Sequence, residues 1–154
     1  MTNLKQSLPM AGNAALISIH PNYAEKILSG EKRVEFRRSW AAKQVDFLVI
    51  YATSPVQRIV AVAQLGQVMR GTRTQLWELA RNGGGGISRR KLFAYMEGKK
   101  QGVALELLQT INIVEGISPQ TLFGNEFRPP QSFRYLKQGE LTLLTRELGE
   151  AKWV

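Results

Sequence analysis

Between Gly30 and Arg38 the chain reads Gly-Glu-Lys-Arg-Val-Glu-Phe-Arg-Arg, and the alternation inside it constrains the fold more than any other stretch. On an extended strand Val34 and Phe36 share one face while Glu35 and Arg37 share the other. A carboxylate and a guanidinium then stand side by side, with Lys32 on the turn leading in. This is the pattern of a strand buried on one side only, carrying a polar constellation on its other side. A surface strand with screened ion pairs fits the same residues.

Upstream, Ala15 to Ile19 is an apolar run with β-branched residues that ends at His20-Pro21, and it reads as a buried strand. Tyr23 and Ile27, and Ala24 and Leu28, lie four apart before Gly30, which predicts a two-turn helix stopped by glycine. Strand, short helix, glycine turn and charged strand thus follow in order. Ser18-Ile19-His20-Pro21 followed by a helix and then Gly30-x-Lys32-x-x-Glu35-x-Arg37 resembles the signature of the ASCH domain, a branch of the PUA-like superfamily. Pro129-Pro130-Gln131-Ser132-Phe133-Arg134-Tyr135-Leu136 resembles the closing motif of the single-domain bacterial and archaeal members. The resemblance covers about residues 15 to 136 and implies an α+β fold, a small mixed β-barrel of the PUA-like type with short helices packed around it. One departure is His20, where many relatives carry lysine; an imidazole supplies charge there only at lower pH.

The 154 residues suffice for one domain with a core of its own. We expect a loosely ordered arm over 1–14, the domain over 15–145 and a peripheral tail over 146–154. The absence of cysteine excludes disulfides and thiolate chemistry and fits a reducing compartment. With a single histidine, a His/Cys zinc site cannot be assembled, and neither a metal nor another cofactor is expected. The first residues lack a signal-like or membrane-spanning apolar run, so the expectation is a cytoplasmic protein away from membranes.

Net charge is +9, which calls for an acidic partner, and nucleic acid is the usual one. Between Arg70 and Lys100 eight cations face two carboxylates, so two thirds of the excess sits in a fifth of the chain. Within this stretch Thr74 to Arg81 is expected to be helical from a Thr72 or Thr74 cap. Four glycines, 83–86, then read as a flexible connector, since a phosphate loop would need a Gly-Lys-Ser/Thr ending. Ser88 caps a second predicted helix whose first residues, Arg89, Arg90 and Lys91, stand where an anion is attracted.

Val45 to Ala52 and Arg58 to Val68 predict an antiparallel strand pair across a short hairpin link. Gly102 to Val114 predicts one long strand or two with a bend, Ser118-Pro119 starts a short helix, and Leu141 to Leu144 is expected to be a last strand. Nothing in the tail indicates a role for Trp153.

Carried over residue by residue, the resemblance makes Lys32, Glu35 and Arg37 the characteristic polar residues of a cleft beside the barrel that holds a base or an RNA segment. Chemically, Arg37 can fork onto a phosphate or base edge, Lys32 offers a mobile point charge, and Glu35 can accept from an exocyclic amine. His20, Arg38, Arg89, Arg90, Lys91, Ser132 and Arg134 complete the candidate ligand contacts. Tyr51, Tyr135, Phe133 and Trp77 are candidates for stacking a base. The leading expectation is a module that binds RNA, another nucleic acid or a modified nucleoside without covalent chemistry. A hydrolase is the alternative, because small ASCH proteins include amidohydrolases of N4-acetylcytidine and reported ribonucleases; Glu35 would then be a general base on water and Lys32 would steady the oxyanion. In the amidohydrolase branch a catalytic threonine stands at the position of Glu35, so that hydroxyl is missing here. A third expectation is a regulatory domain that recognises a protein or metabolite.

Overall fold

The computed structural model describes residues 13–151 and 153. The expected N-terminal arm lies outside the described residues except for its last two, and Ala14 already opens the first strand. The order is β1 (Ala14–Ile19), α1 (Pro21–Ser29), β2 (Val34–Arg37), β3 (Phe47–Ala52), β4 (Arg58–Gly71), α2 (Arg73–Asn82), α3 (Arg89–Tyr95), β5 (Gly102–Ile117), α4 (Pro119–Phe123), β6 (Phe133–Tyr135) and α5 (Gln138–Leu148). The six strands form one sheet in the order β2-β5-β4-β3-β1-β6. Among the described residues β1 and β3 run parallel and the other pairings are antiparallel, so the sheet is mixed. Register shifts in the β3/β4 and β4/β5 ladders bend it into a partial barrel. The α+β, barrel-like class implied by the resemblance is the one observed.

Both faces of the central strands are covered, which explains their unbroken apolar runs. Leu16, Val49 and Tyr51 point into a cluster closed by Leu141, Leu144 and Trp153. Ile17, Leu48 and Ile50 point the other way, toward Ala24 and Ile27 of α1. A third cluster joins Val34 and Phe36 of β2 to Leu76 of α2, Leu92 of α3 and Met96 at the end of α3. The face assignment for Val34 and Phe36 is therefore the expected one.

Two expectations for the C-terminal part fail. Leu141 to Leu144 is part of helix α5, because Leu141, Leu144 and Leu148 recur at helical spacing and all three are buried. The tail is not peripheral: Trp153 is buried and its ring lies 5.9 Å from that of Phe47, nearly parallel to it. Helix α5 is fixed at its start by Glu140, which accepts from the Lys137 amide at 2.7 Å and takes both terminal nitrogens of Arg134 at 3.0 and 2.6 Å. Burial works against the charge of Glu140, but these donors outweigh it and hold its carboxyl below the usual carboxylate range. Among the described residues no helix is long and apolar enough to cross a membrane.

If the tail is part of the core, Trp153→Ala should destabilise the protein by about 3–5 kcal/mol, read as a lowered denaturation midpoint. A change within about 0.5 kcal/mol, as for a surface residue, would return the tail to the periphery.

Candidate functional site

The charged strand is buried on both faces, which corrects the expectation of a strand buried on one side. Glu35 and Arg37 keep only 7 and 8% of their surface exposed, and Lys32 only 3%. Each carboxylate oxygen of Glu35 takes one cation, Lys32 Nζ at 3.6 Å on Oε1 and Arg37 Nη1 at 3.3 Å on Oε2. Two cations on one carboxylate leave a net positive charge in a poorly solvated place, where it acts strongly on an anion.

Local structure explains how three charges come to be held there. Gly30 ends α1 with φ of 84°, a left-handed conformation that favours glycine, and turns the chain into β2. Lys32 Nζ donates to the Gly85 carbonyl at 2.6 Å and stands 5.4 and 5.2 Å from the ring centres of Tyr23 and Phe36. Arg37 donates from Nη1 to the Ser18 carbonyl at 3.3 Å and from Nη2 to the Ser132 carbonyl at 2.7 Å. It therefore joins β2, one edge of the sheet, to β1 and to the segment leading into β6 at the other edge. Ser18 Oγ donates to the Pro130 carbonyl at 2.7 Å, a second tie between the opening and closing motifs.

The glycine run is not a flexible connector. Its carbonyls accept in succession from the Arg33 amide at 2.7 Å, Lys32 Nζ at 2.6 Å and Lys26 Nζ at 3.2 Å. A side chain at position 85 would lie 2.5 Å from Ala80, and one at position 86, where φ is 64°, would lie 2.9 Å from Lys32. Glycine is required by close packing against Ala80 at position 85 and against the lysine stem at position 86.

Above the array opens a cavity of about 590 Å³. Lys32, Glu35 and Arg37 form its charged floor; His20, Asn22 and Tyr23 at the start of α1 form one wall, and Lys91, Ala94 and Tyr95 of α3 form another. Gln131 of the closing motif lies at the margin. Burial pushes the Lys32 ammonium below the ordinary lysine value, against the opposing pull of Glu35. Burial and the Glu35 charge raise the phenols of Tyr23 and Tyr95, at Tyr95 against the pull of Arg37 and Arg38, so both are neutral donors near neutrality.

Of the candidate residues, the cavity gathers His20, Lys32, Glu35, Arg37 and Lys91. His20 is the N-cap of α1, accepting the Asn22 amide on Nδ1 at 3.2 Å. Arg38 is exposed and donates to the carbonyls of Tyr95 and Glu97 at 2.7 and 2.9 Å, clamping the end of α3. The Arg89 guanidinium lies over the Phe93 ring, 4.1 Å from its centre, and Arg90 is exposed. Ser132 offers Arg37 its carbonyl, and Arg134 is committed to Glu140 and to the face of Phe123 at 4.7 Å. None of the four proposed stacking residues lines the cavity: Tyr51 is buried in the core, and Phe133, Tyr135 and Trp77 pack against it. Tyr23 and Tyr95 occupy that place instead. Their helical positions look like core spacing from the sequence, and nothing there marks them as facing a cavity.

The ASCH domain profile matches residues 17–114. A protein of Zymomonas mobilis named an ASCH domain-containing ribonuclease is 33% identical over 130 residues, covering 82% of this chain and 86% of that one. The crystal structure of ASCH from Zymomonas mobilis superposes with a TM-score of 0.74 at 30% identity, covering 86% of this chain and 94% of that one. A serine-to-alanine variant of the Zymomonas protein superposes with a TM-score of 0.73 at 30% identity, over 87% of this chain and 95% of that one.

Removing Glu35 would strand two buried cations, so Glu35→Ala should cost about 3–5 kcal/mol, whereas Arg33→Ala at an exposed position should change stability by less than about 0.5 kcal/mol. Equal effects in urea unfolding would contradict the array. Because the folded state lowers the Lys32 pKa below the 10.5 of a free lysine, the unfolded chain binds more protons across that interval. The Lys32 contribution is therefore largest above 10.5 and is lost as pH falls through the lowered value. Unfolding measured from neutral to alkaline pH should show a rise in stability relative to Lys32→Met, and parallel curves would show that burial does not govern Lys32.

Proposed function

The chain belongs to the ASCH domain family, and from that premise we propose that it binds single-stranded RNA, seating one splayed nucleotide in the cavity above Glu35. The observation that carries this reading is the pairing of two cations with one buried carboxylate on the floor of a cavity large enough for a nucleotide. A phosphate supplies the missing negative charge, and Lys91 extends the cationic surface to the rim. Tyr23 and Tyr95 give the base aromatic surface on two different helices. The remaining cations at the start of α3, Arg89 and Arg90, lie outside the cavity lining and contribute through the field along a bound strand. Arg38 and Arg134 are structural in this reading.

A second reading, cleavage of the bound RNA, is favoured by Lys32, whose proton is held less tightly than that of an exposed lysine. The Zymomonas relative named a ribonuclease supports it. In such a step the ribose 2′-oxygen attacks phosphorus and the bond to the 5′-oxygen breaks. The 2′-hydroxyl proton passes to Glu35 or to neutral Lys32, the leaving oxygen takes a proton from water, and Arg37 offsets the charge on the phosphoryl oxygens.

The test uses short RNAs, single-stranded DNAs and nucleosides including N4-acetylcytidine, with retention and products followed by mass spectrometry at two salt concentrations. RNA retention should fall with salt, by about 0.7 in log K per log unit for each phosphate neutralised. Lys32→Met should remove a charge-assisted contact of about 1.5–3 kcal/mol, roughly a 10- to 100-fold loss of affinity. Salt-indifferent retention of a nucleoside alone would overturn the RNA reading, and conversion of RNA to shorter products would select cleavage.

A further inference from the structure

The cavity does not end at Asn22 and Lys91. Past these two side chains a second, shallower depression of about 450 Å³ continues between α1 and α3, lined by Asn22, Glu25, Lys26, Ser29 and Lys91. Asn22 and Lys91 belong to both depressions. Asn22, Glu25, Lys26 and Ser29 recur at intervals of three and four, so they form one stripe along α1, with Lys91 facing it from α3. From Asn22 to Ser29 the stripe runs roughly 10 Å along the helix axis, too far for one phosphate to touch both ends.

The charges of this groove are open to a ligand. Lys26 Nζ spends one proton on the Gly86 carbonyl at 3.2 Å, which leaves two of its three donors. Among the described residues none forms an ion pair or hydrogen bond with the Lys91 ammonium, and Glu25 is likewise without an ion pair although Lys26 is its neighbour. A groove with two cations and one carboxylate suits a ligand that carries both an anion and a hydroxyl donor. A ribose phosphate carries both.

We propose that this groove is a second nucleotide subsite. The phosphate that links it to the nucleotide in the deeper cavity lies between Lys26 and Lys91, and the 2′-hydroxyl of the second ribose donates to Glu25. The protein thereby reads a dinucleotide step of RNA and discriminates it from DNA. This inference rests on the deeper cavity being a nucleotide seat.

Calorimetric titration of the full chain with ribonucleoside 5′-monophosphates, and then with the RNA dinucleotides that extend the tightest of them, tests it. The best dinucleotide should bind at least tenfold tighter than the mononucleotide. Replacing its second ribose by deoxyribose should lose several-fold in affinity, and Glu25→Ala should erase that difference. Lys26→Met should remove the dinucleotide gain while mononucleotide affinity stays within twofold, and Lys26→Arg should keep the gain. A dinucleotide no tighter than a mononucleotide, or equal weakening of both by Lys26→Met, would overturn the second subsite and leave the seat standing. Failure of every mononucleotide and dinucleotide to bind would overturn the seat and the subsite together.

Discussion

Glu35 accepts Lys32 on one oxygen and Arg37 on the other inside a core where an unpaired charge would cost several kcal/mol. Further donors of these cations reach backbone carbonyls, Gly85 for the lysine and Ser18 and Ser132 for the arginine, and one ammonium proton and two guanidinium protons stay free of these partners. These carbonyls offset part of the desolvation, and they come from β1, the glycine run and the segment before β6. The array specifies which parts of the chain must meet. It also leaves a cationic excess facing a cavity, so the interaction that joins the sheet edges is the one that makes the place attractive to an anion.

Much of this was legible in the chain. Alternation placed Val34 and Phe36 on one face and Glu35 and Arg37 on the other, because a strand has period two whatever packs against it. The two motifs that identified the family are tied in space by Ser18 to Pro130 and Arg37 to Ser132. Burial of the polar face was not legible, since exposed and buried ion pairs use the same residues, and only a wall built from distant segments separates them. Leu141 to Leu144 misled because four residues of leucine and threonine suit either period, and the deciding position is Leu148.

The cavity walls were the least legible part. Tyr23 and Tyr95 lie on short helices where an aromatic residue normally means core, and which side of each helix stays open depends on α3 docking beside α1. Local composition made Arg89, Arg90 and Lys91 look like a unit, but successive helical residues point about 100° apart. Lys91 enters the cavity while Arg89 lies on Phe93. Arg38 and Arg134 show the converse: a cation in a recognised motif can be consumed by holding a helix end or a strand in place.

The bond from Arg37 to the Ser132 carbonyl spans 95 positions of the chain. Closing so long a loop spends entropy that only the assembled sheet returns, and contacts of this separation are slow to reach. The floor of the cavity has no counterpart in a partly folded chain, since one of its three charges gains its acceptors only when the first and last strands have met. If the cavity seats a nucleotide as proposed, a molecule whose first and last strands have not met lacks the floor that would hold it, and binding then depends on the finished fold.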